Sequence, residues 1–426
     1  MTAPGRAAAP RPSPCRDDAQ GFWPGFAAGH YRQRPYETDE FPPGLAASAG
    51  ELFPLLLRAC ALRGNGPKDP QVRFYIAQRE VLQDLDDWLP VTADGSLDGY
   101  LARMDAELSG APYLLTVQRL HAVSRTLWKR AAAFLAGLCE ATGSLPGDAE
   151  VEAFVGRYPH TPTGIHQERS GVFVAAVHGA KDVLAWPPPT GGLPLRSGRY
   201  GQERAGATRL RCEPGRLVYW PAMYWHVAES PAASAAVHLA VLEEPPGPRG
   251  LLATAAGSLP AASGHGIDLP PRGAGETPLP SQYEVAARAL AGALGDAGAV
   301  RDRLTADWLR RRTGCGFCAP PPRRGATVIT ADQLVVRDSV LPIVLARRDA
   351  ATSWCAADGR VARVRSSPAL TAAIDKLNAG EQFAVDSLLG LGATSAERRL
   401  LLATLALLAD WQALAVSDPG GRPAAG

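Results

Sequence analysis

From about residue 151 onward, apolar residues come in short runs separated by turn signals: Val151–Tyr158, Gly171–Val177, Asp182–Trp186, Thr208–Cys212, Leu217–Trp220 and Ala235–Leu242. Runs of this length at this spacing predict the strands of a small all-β sandwich or barrel. The chain before them has a different texture. Residues 48–63 repeat their apolar positions at helical spacing, and so do residues 115–140 through Leu115, Val117, Leu120, Val123, Leu127 and then Ala131 to Leu138. Pro146-Gly147 breaks the second of these, and Pro187–Pro194 reads as a loop inside the β-rich part. Residues 1–20 read as a disordered tail, and Phe22-Trp23-Pro24-Gly25-Phe26 as the start of ordered structure.

The β-rich part ends near Glu243-Glu244-Pro245-Pro246-Gly247, and a linker rich in Gly, Pro, Ala and Ser runs to about residue 281. Val285, Ala286, Ala289, Leu290, Ala293 and Leu294 then mark one face of a helix, and Cys318–Pro322 is a second break. In the last hundred residues Arg360–Arg365 alternates as a strand. Ser367-Pro368 starts a helix that Asn378-Ala379-Gly380 stops, and Thr394 with Glu397 forms a capping box opening an apolar helix through about Ala409. Strand, helix, short helix and long helix in that order resemble a winged-helix module. The expected architecture is α+β. It comprises a tail (1–20), a β-rich domain with a helical N-terminal flank (21–245), a linker and helical region of dimerisation type (246–325), and the winged-helix-like domain (326–426).

Composition narrows the function classes. Hydrophobic residues make up 46%, enough for a packed core. The 44 basic and 42 acidic residues leave a net charge of +2, so nucleic acid is not the expected partner. The seven cysteines are odd in number and scattered, which argues against a disulfide framework and for a reducing cytoplasm. No stretch has the roughly 18 uninterrupted apolar residues of a membrane span, and no membrane partner is expected.

Two segments carry the chemistry: Thr163-Gly164-Ile165-His166-Gln167-Glu168, and the run from Gly215 to His226. On a strand, residues i and i+2 point to one side, so His166 and Glu168 would aim an imidazole and a carboxylate into one space. With His226, flanked by Tyr224 and Trp225, they make up the two-His-one-carboxylate inventory of a non-haem iron site with open positions. Read singly, each is ordinary: a chance His-x-Glu, and a core histidine among aromatics. Lys181, 15 residues after His166, would ordinarily be a solvated strand end; in a metal pocket its ammonium would pair with the distal carboxylate of an anionic cosubstrate. Thr163 would add a hydroxyl donor to that carboxylate. Trp186, Tyr219, Trp220, Tyr224 and Trp225 suggest an aromatic lining, though such residues are more often plain sandwich core.

The set Thr163, His166 and Glu168, then Val177, Gly179 and Lys181, then Gly215, Tyr219, Pro221, Trp225 and His226 resembles the JmjC/cupin-like family of Fe(II)- and 2-oxoglutarate-dependent oxygenases, and most of all its protein and peptide hydroxylase branch. The resemblance covers about residues 105–245. It implies a double-stranded β-helix (jelly-roll) core with flanking helices. It also implies Fe(II) held by His166, Glu168 and His226, and 2-oxoglutarate as cosubstrate, held by Lys181 with support from Thr163 and from Tyr113, which sits where the family supplies a phenol. The implied reaction consumes O2, hydroxylates a side chain of a peptide or protein, and releases succinate and CO2. Glu168 departs from the aspartate usual in the hydroxylase branch, which keeps N-methyl demethylation by the same chemistry open as an alternative. A non-catalytic cupin-like binding protein is the other. The C-terminal module is similar in its order of elements to the winged-helix domain of ribosomal-protein hydroxylases in the same superfamily.

Other features are discounted. Cys315-Gly-Phe-Cys318 has the spacing of a zinc knuckle but lacks a second ligand pair. Arg310-Arg311-Arg312 and Arg323-Arg324 read as solvated surface, and His160 and His178 as non-ligands. The apolar face of the helix Glu397 to Ala409 suits a core or an interface, a homodimer contact or a substrate dock, better than a DNA groove.

Overall fold

The computed structural model describes residues 19–42, 44–45, 48–64, 66, 68–145, 147–188, 200–244, 248–256, 288, 291–292, 294–321 and 327–418. Most of the expected N-terminal tail, the loop beyond Pro188, most of the linker to residue 281, most of the helix expected at 285–294 and Arg323-Arg324 lie outside them; within the linker, Pro248–Ala256 forms a helix. The chain divides into two compact units, Met1–Glu243 and Glu244–Gly426.

In the first unit the elements run α1 (Ala19–Gly29), β1 (Tyr36–Thr38), α2 (Ala49–Ala61), β2 (Gln71–Ile76), β3 (Arg79–Glu80), α3 (Leu97–Glu107), β4 (Tyr113–Gln118), α4 (Arg125–Thr142), β5 (Ala149–Tyr158), β6 (Ser170–His178), β7 (Lys181–Trp186), β8 (Thr208–Cys212), β9 (Leu217–Trp220) and β10 (Trp225–Leu242). Ser48 and Glu51 form a capping box on α2, and Ser124 caps α4, so each helix start is satisfied by its own side chains. Leu115 and Val117, read above as the start of a long helix, lie instead in strand β4. A short apolar run fits either period, and here pairing with β2 and β5 decides it.

The strands make two antiparallel sheets joined through β10. The large sheet has the order β1-β9-β6-β10-β5-β4-β2-β3, and the N-terminal half of β10 pairs with β7, which pairs with β8. Between Ser230 and Ser234 the register of β10 against β5 shifts, with Ser230 opposite Tyr158 and Ser234 opposite Gly156. This bulge lets one strand leave one sheet for the other. Pro231 sits at its exposed crest, where no ladder donor is needed. The expected strand Ala235–Leu242 is therefore only the second half of a longer one.

Residue parity along the strands separates two surfaces. Leu114, Val172, Val174, Ala176, Val183, Ala185, Leu210, Val218, Trp220 and Ala236 meet in the interior between the sheets. The opposite parity of the large sheet takes the helices. Trp23 of α1 lies edge-on to Phe134 of α4 (4.8 Å) and Phe26 edge-on to Tyr219 (4.9 Å), and Phe134 meets Phe173 at 5.3 Å. Gly137 permits this: a Cβ there would lie 2.1 Å from the Trp23 indole nitrogen. The aromatic edges add to the area they bury.

In the second unit the described helix Ala297–Gly314 sets Ala306 and Leu309 against Trp354 and Ala356. Two three-stranded sheets follow: β11 (Leu334–Arg337) between β15 (Phe383–Ala384) and β16 (Leu414–Ser417), and β12 (Val344–Arg347), β13 (Thr352–Ala357) and β14 (Arg360–Arg365) in sequence. Helices Pro368–Asn378 and Ser395–Asp410 start at the caps read from the sequence, Ser367 and Thr394. The apolar face of the second helix, with Leu401, Leu405 and Leu408, is spent in this unit's own core. No helix among the described residues is long and apolar enough to cross a membrane.

The turn before Lys181 is tight. Gly179 has φ +61, and a Cβ on it would meet the Ala233 carbonyl oxygen at 2.3 Å. Gly179→Ala is expected to destabilise the chain by about 1–3 kcal/mol, seen as a lower urea midpoint of the full-length protein.

Candidate functional site

His166 and His226 are locked together by their backbones. They form an antiparallel bridge in which His166 N donates to His226 O (3.1 Å) and His226 N donates to His166 O (2.9 Å). The rings consequently stand on the same side, with centroids 4.3 Å apart. The expected strand through His166 and Glu168 is not formed; this bridge is its one paired position, and the segment is otherwise irregular. Each of the two side chains still reaches His226, His166 ring to ring and Glu168 through its carboxyl group.

Each imidazole has committed one nitrogen. His166 Nδ1 lies 3.0 Å from the Gly164 carbonyl oxygen, and His226 Nδ1 lies 3.1 Å from that of Tyr224. A carbonyl only accepts, so each Nδ1 carries the proton and each Nε2 keeps a free lone pair. Burial lowers both imidazoles from their ordinary pKa, His226 to about 3, so both are neutral. Nε2 of His226 lies 3.4 Å from Oε1 of Glu168. Burial raises the Glu168 carboxyl to about 7, with Trp220 lowering it in part. A lone pair facing a carboxylate oxygen sets two acceptors against each other, and such a pair needs a proton or a cation between them.

The donor chemistry therefore fits a cation held by His166, Glu168 and His226, with spacing near the roughly 3 Å that neighbouring donors on one metal adopt. As the side chains stand the contacts are pairwise. Among the described residues no group of three His, Cys, Asp or Glu is already closed around one point. The Glu168 side chain is 36% exposed, which leaves it free to turn, whereas the two histidine backbones are fixed.

A second ring of contacts holds the loop between β9 and β10 against residues 167–168. Gln167 Nε2 donates to Met223 O (2.6 Å) and Met223 N donates to Glu168 O (2.8 Å), with Met223 at φ +65. Buried Glu243 closes the other side, its carboxylate accepting from Tyr219 Oη (2.8 Å) and Ala222 N (3.1 Å). Gly171 makes room for it, since a Cβ there would lie 2.0 Å from Glu243 Oε1.

In the interior between the sheets sits Lys181, with no exposed surface. Its ammonium donates to His238 Nε2 at 2.8 Å and stands 5.1 Å from the centroid of the Phe154 ring. Burial pulls its pKa down to about 8, while nearby Cys212 and Glu152 act to raise it. His238 is pushed well below its ordinary value by burial and by Lys181, so it is a neutral acceptor. Glu152 lies directly across the strand pair from His238 and accepts from Gln118 Nε2 at 3.1 Å. Burial, with Glu150 and Glu168 adding to it, raises its carboxyl to about 8. Trp220 contacts both ends, 4.9 Å from the His226 ring and 6.2 Å from that of His238.

The structure brings together His166, Glu168 and His226, and it places Lys181 in the same interior. Thr163 is not brought to Lys181: it lies exposed in the turn before Gly164. Tyr113 also points elsewhere. Its ring stacks on Phe74 at 6.1 Å on the helix-covered face of β4, while Gln118, of opposite parity, faces inward. Of the five aromatics suggested as lining, Trp220 and Tyr224 belong to the interior; Tyr219 faces α1, and Trp186 and Trp225 pack with Ile165, Leu184 and Val227. His160 meets Gln78 and Tyr200, and His178 pairs with Asp98 at 3.3 Å. Glu152, Gln118 and His238 were not singled out from the sequence. The available signal was His238, a lone imidazole inside an apolar strand, at the same parity as Ala236 and Ala240.

No family model matches the sequence. No curated protein matches it either. Among solved structures the chain is similar to YcfD, a ribosomal oxygenase from Escherichia coli, in complex with cobalt and succinic acid (TM-score 0.46) and with cobalt and 2-oxoglutarate (TM-score 0.47). A further X-ray structure of E. coli YcfD gives a TM-score of 0.48. Each match has 14% identity and covers 93% of this chain and 98% of the other. At that identity and those TM-scores, the function of this chain rests on its own side chains.

Proposed function

We propose that this chain is an Fe(II)- and 2-oxoglutarate-dependent oxygenase of jelly-roll architecture that hydroxylates a side chain of a peptide or protein. The observation that supports this most is the opposed pair of acceptors, His226 Nε2 and Glu168 Oε1 at 3.4 Å, beside a second imidazole whose Nε2 is also free. Two neutral imidazoles and one carboxylate offer a net charge of −1 to a divalent ion and leave coordination positions open. In the same interior, Lys181 would supply a buried cation to an anion.

His166 and His226 would hold the iron through Nε2, their rings fixed by the Gly164 and Tyr224 carbonyls and by the backbone bridge. Such partners orient a ligand and raise its basicity. Glu168 would close the set by turning its side chain. Lys181 would pair with the distal carboxylate of the cosubstrate, and Trp220, between the two ends, would exclude water from the space. Bound Fe(II) with 2-oxoglutarate and O2 supplies the oxidation of a substrate C–H to an alcohol, with succinate and CO2 as coproducts. The chain's own part is to orient the reactants and keep the interior dry and charge-matched.

His166→Ala is expected to abolish succinate release and the coupled gain of one oxygen atom by the substrate; undiminished 2-oxoglutarate turnover in that variant would refute the assignment. In an anaerobic Fe(II) titration, Lys181→Ala should weaken 2-oxoglutarate binding about ten- to a hundredfold. Glu243→Ala touches no proposed ligand, yet by freeing the loop at Ala222 it should weaken Fe(II) binding about tenfold, read by competition with a chelator.

A further inference from the structure

Lysine is ordinarily a poor ruler. Its charge is a point on a flexible four-carbon stem. Here the stem is fully buried and the ammonium has a fixed partner, His238 Nε2 at 2.8 Å. His238 is itself immobilised. Its ring stacks on Phe154 at 4.1 Å and 18°, its edge meets Trp220, and its strand is paired on both sides, to Glu152 and to Val174.

We infer that His238 is the positioning residue that fixes the Lys181 ammonium, and that it thereby sets the chain length of the dicarboxylate this interior accepts. The inference rests on the oxygenase reading above and adds a determinant of cosubstrate choice. One N–H of the ammonium is spent on the imidazole and its face is turned to Phe154, so the remaining donors are directed rather than free to swing. Glu152 sits opposite His238 with its carboxyl engaged by Gln118. An anchor held at one point accepts a distal carboxylate at one distance from the metal end and rejects a ligand one methylene longer.

The test is an anaerobic titration of the full-length protein with Fe(II), followed by either 2-oxoglutarate or the longer 2-oxoadipate. It monitors the charge-transfer absorption of the chelate in wild type, His238→Leu, His238→Gln and Lys181→Ala. His238→Leu should weaken 2-oxoglutarate about tenfold and narrow its preference over 2-oxoadipate. His238→Gln, whose amide oxygen can accept from the ammonium, should recover part of both. If leucine does not fold there, His238→Asn carries the same comparison, with a changed ligand preference expected. An unchanged preference in the folded His238 variants, including equal weakening of both ligands, overturns the role of His238 while leaving the pocket intact. If Lys181→Ala binds 2-oxoglutarate like wild type, the pocket reading itself fails, and this inference fails with it.

Discussion

Everything about the candidate site depends on one backbone contact, the two-way hydrogen-bonded bridge between His166 and His226. The residues are sixty positions apart, and one of them lies in an irregular segment. The bridge sets their rings on a common side. Once it is made, the carbonyls of Gly164 and Tyr224 choose the tautomer of each ring, and the choice leaves a lone pair on each Nε2. The two rings are thus organised by main-chain geometry.

The second constraint is burial of charge. Lys181 and Glu152 both sit where their ionised forms are disfavoured. The protein tolerates this by giving each a hydrogen-bonding partner, His238 for the lysine and Gln118 for the glutamate. Structural economy alone would fill such positions with leucine and valine. Polar residues retained at this depth are consistent with an interior built around an anion.

Part of this was readable in the sequence. The strands after residue 151 showed themselves because short apolar runs were punctuated by glycine and proline. The caps Ser367 and Thr394 were visible because their partners lie within three residues. Alternation along β5 also separated its two faces, but it could not say which faced the interior. Val151, Ala153 and Val155 look like a core face and Glu152 like a solvent face, yet Glu152 points into the barrel beside His238. Tyr113 was matched only by its position in a short segment, and it falls on the helix-covered face of β4. Thr163 was placed by its distance along the chain from His166, and a turn defeats such counting. His238 and Gln118 were hidden because their roles exist only across strands, at separations of 57 and 34 residues from their partners.

Strand β10 carries His226 in its first half and His238 in its second, and the bulge at Ser230–Ser234 passes it from one sheet to the other. One hydrogen-bonded strand therefore carries both the imidazole that faces Glu168 and the imidazole that holds Lys181. Because successive side chains on a strand point to opposite faces, a one-residue slip of either half would turn its imidazole outward. The two imidazoles thus share one segment of chain, and a single residue gained or lost between them would put them out of phase.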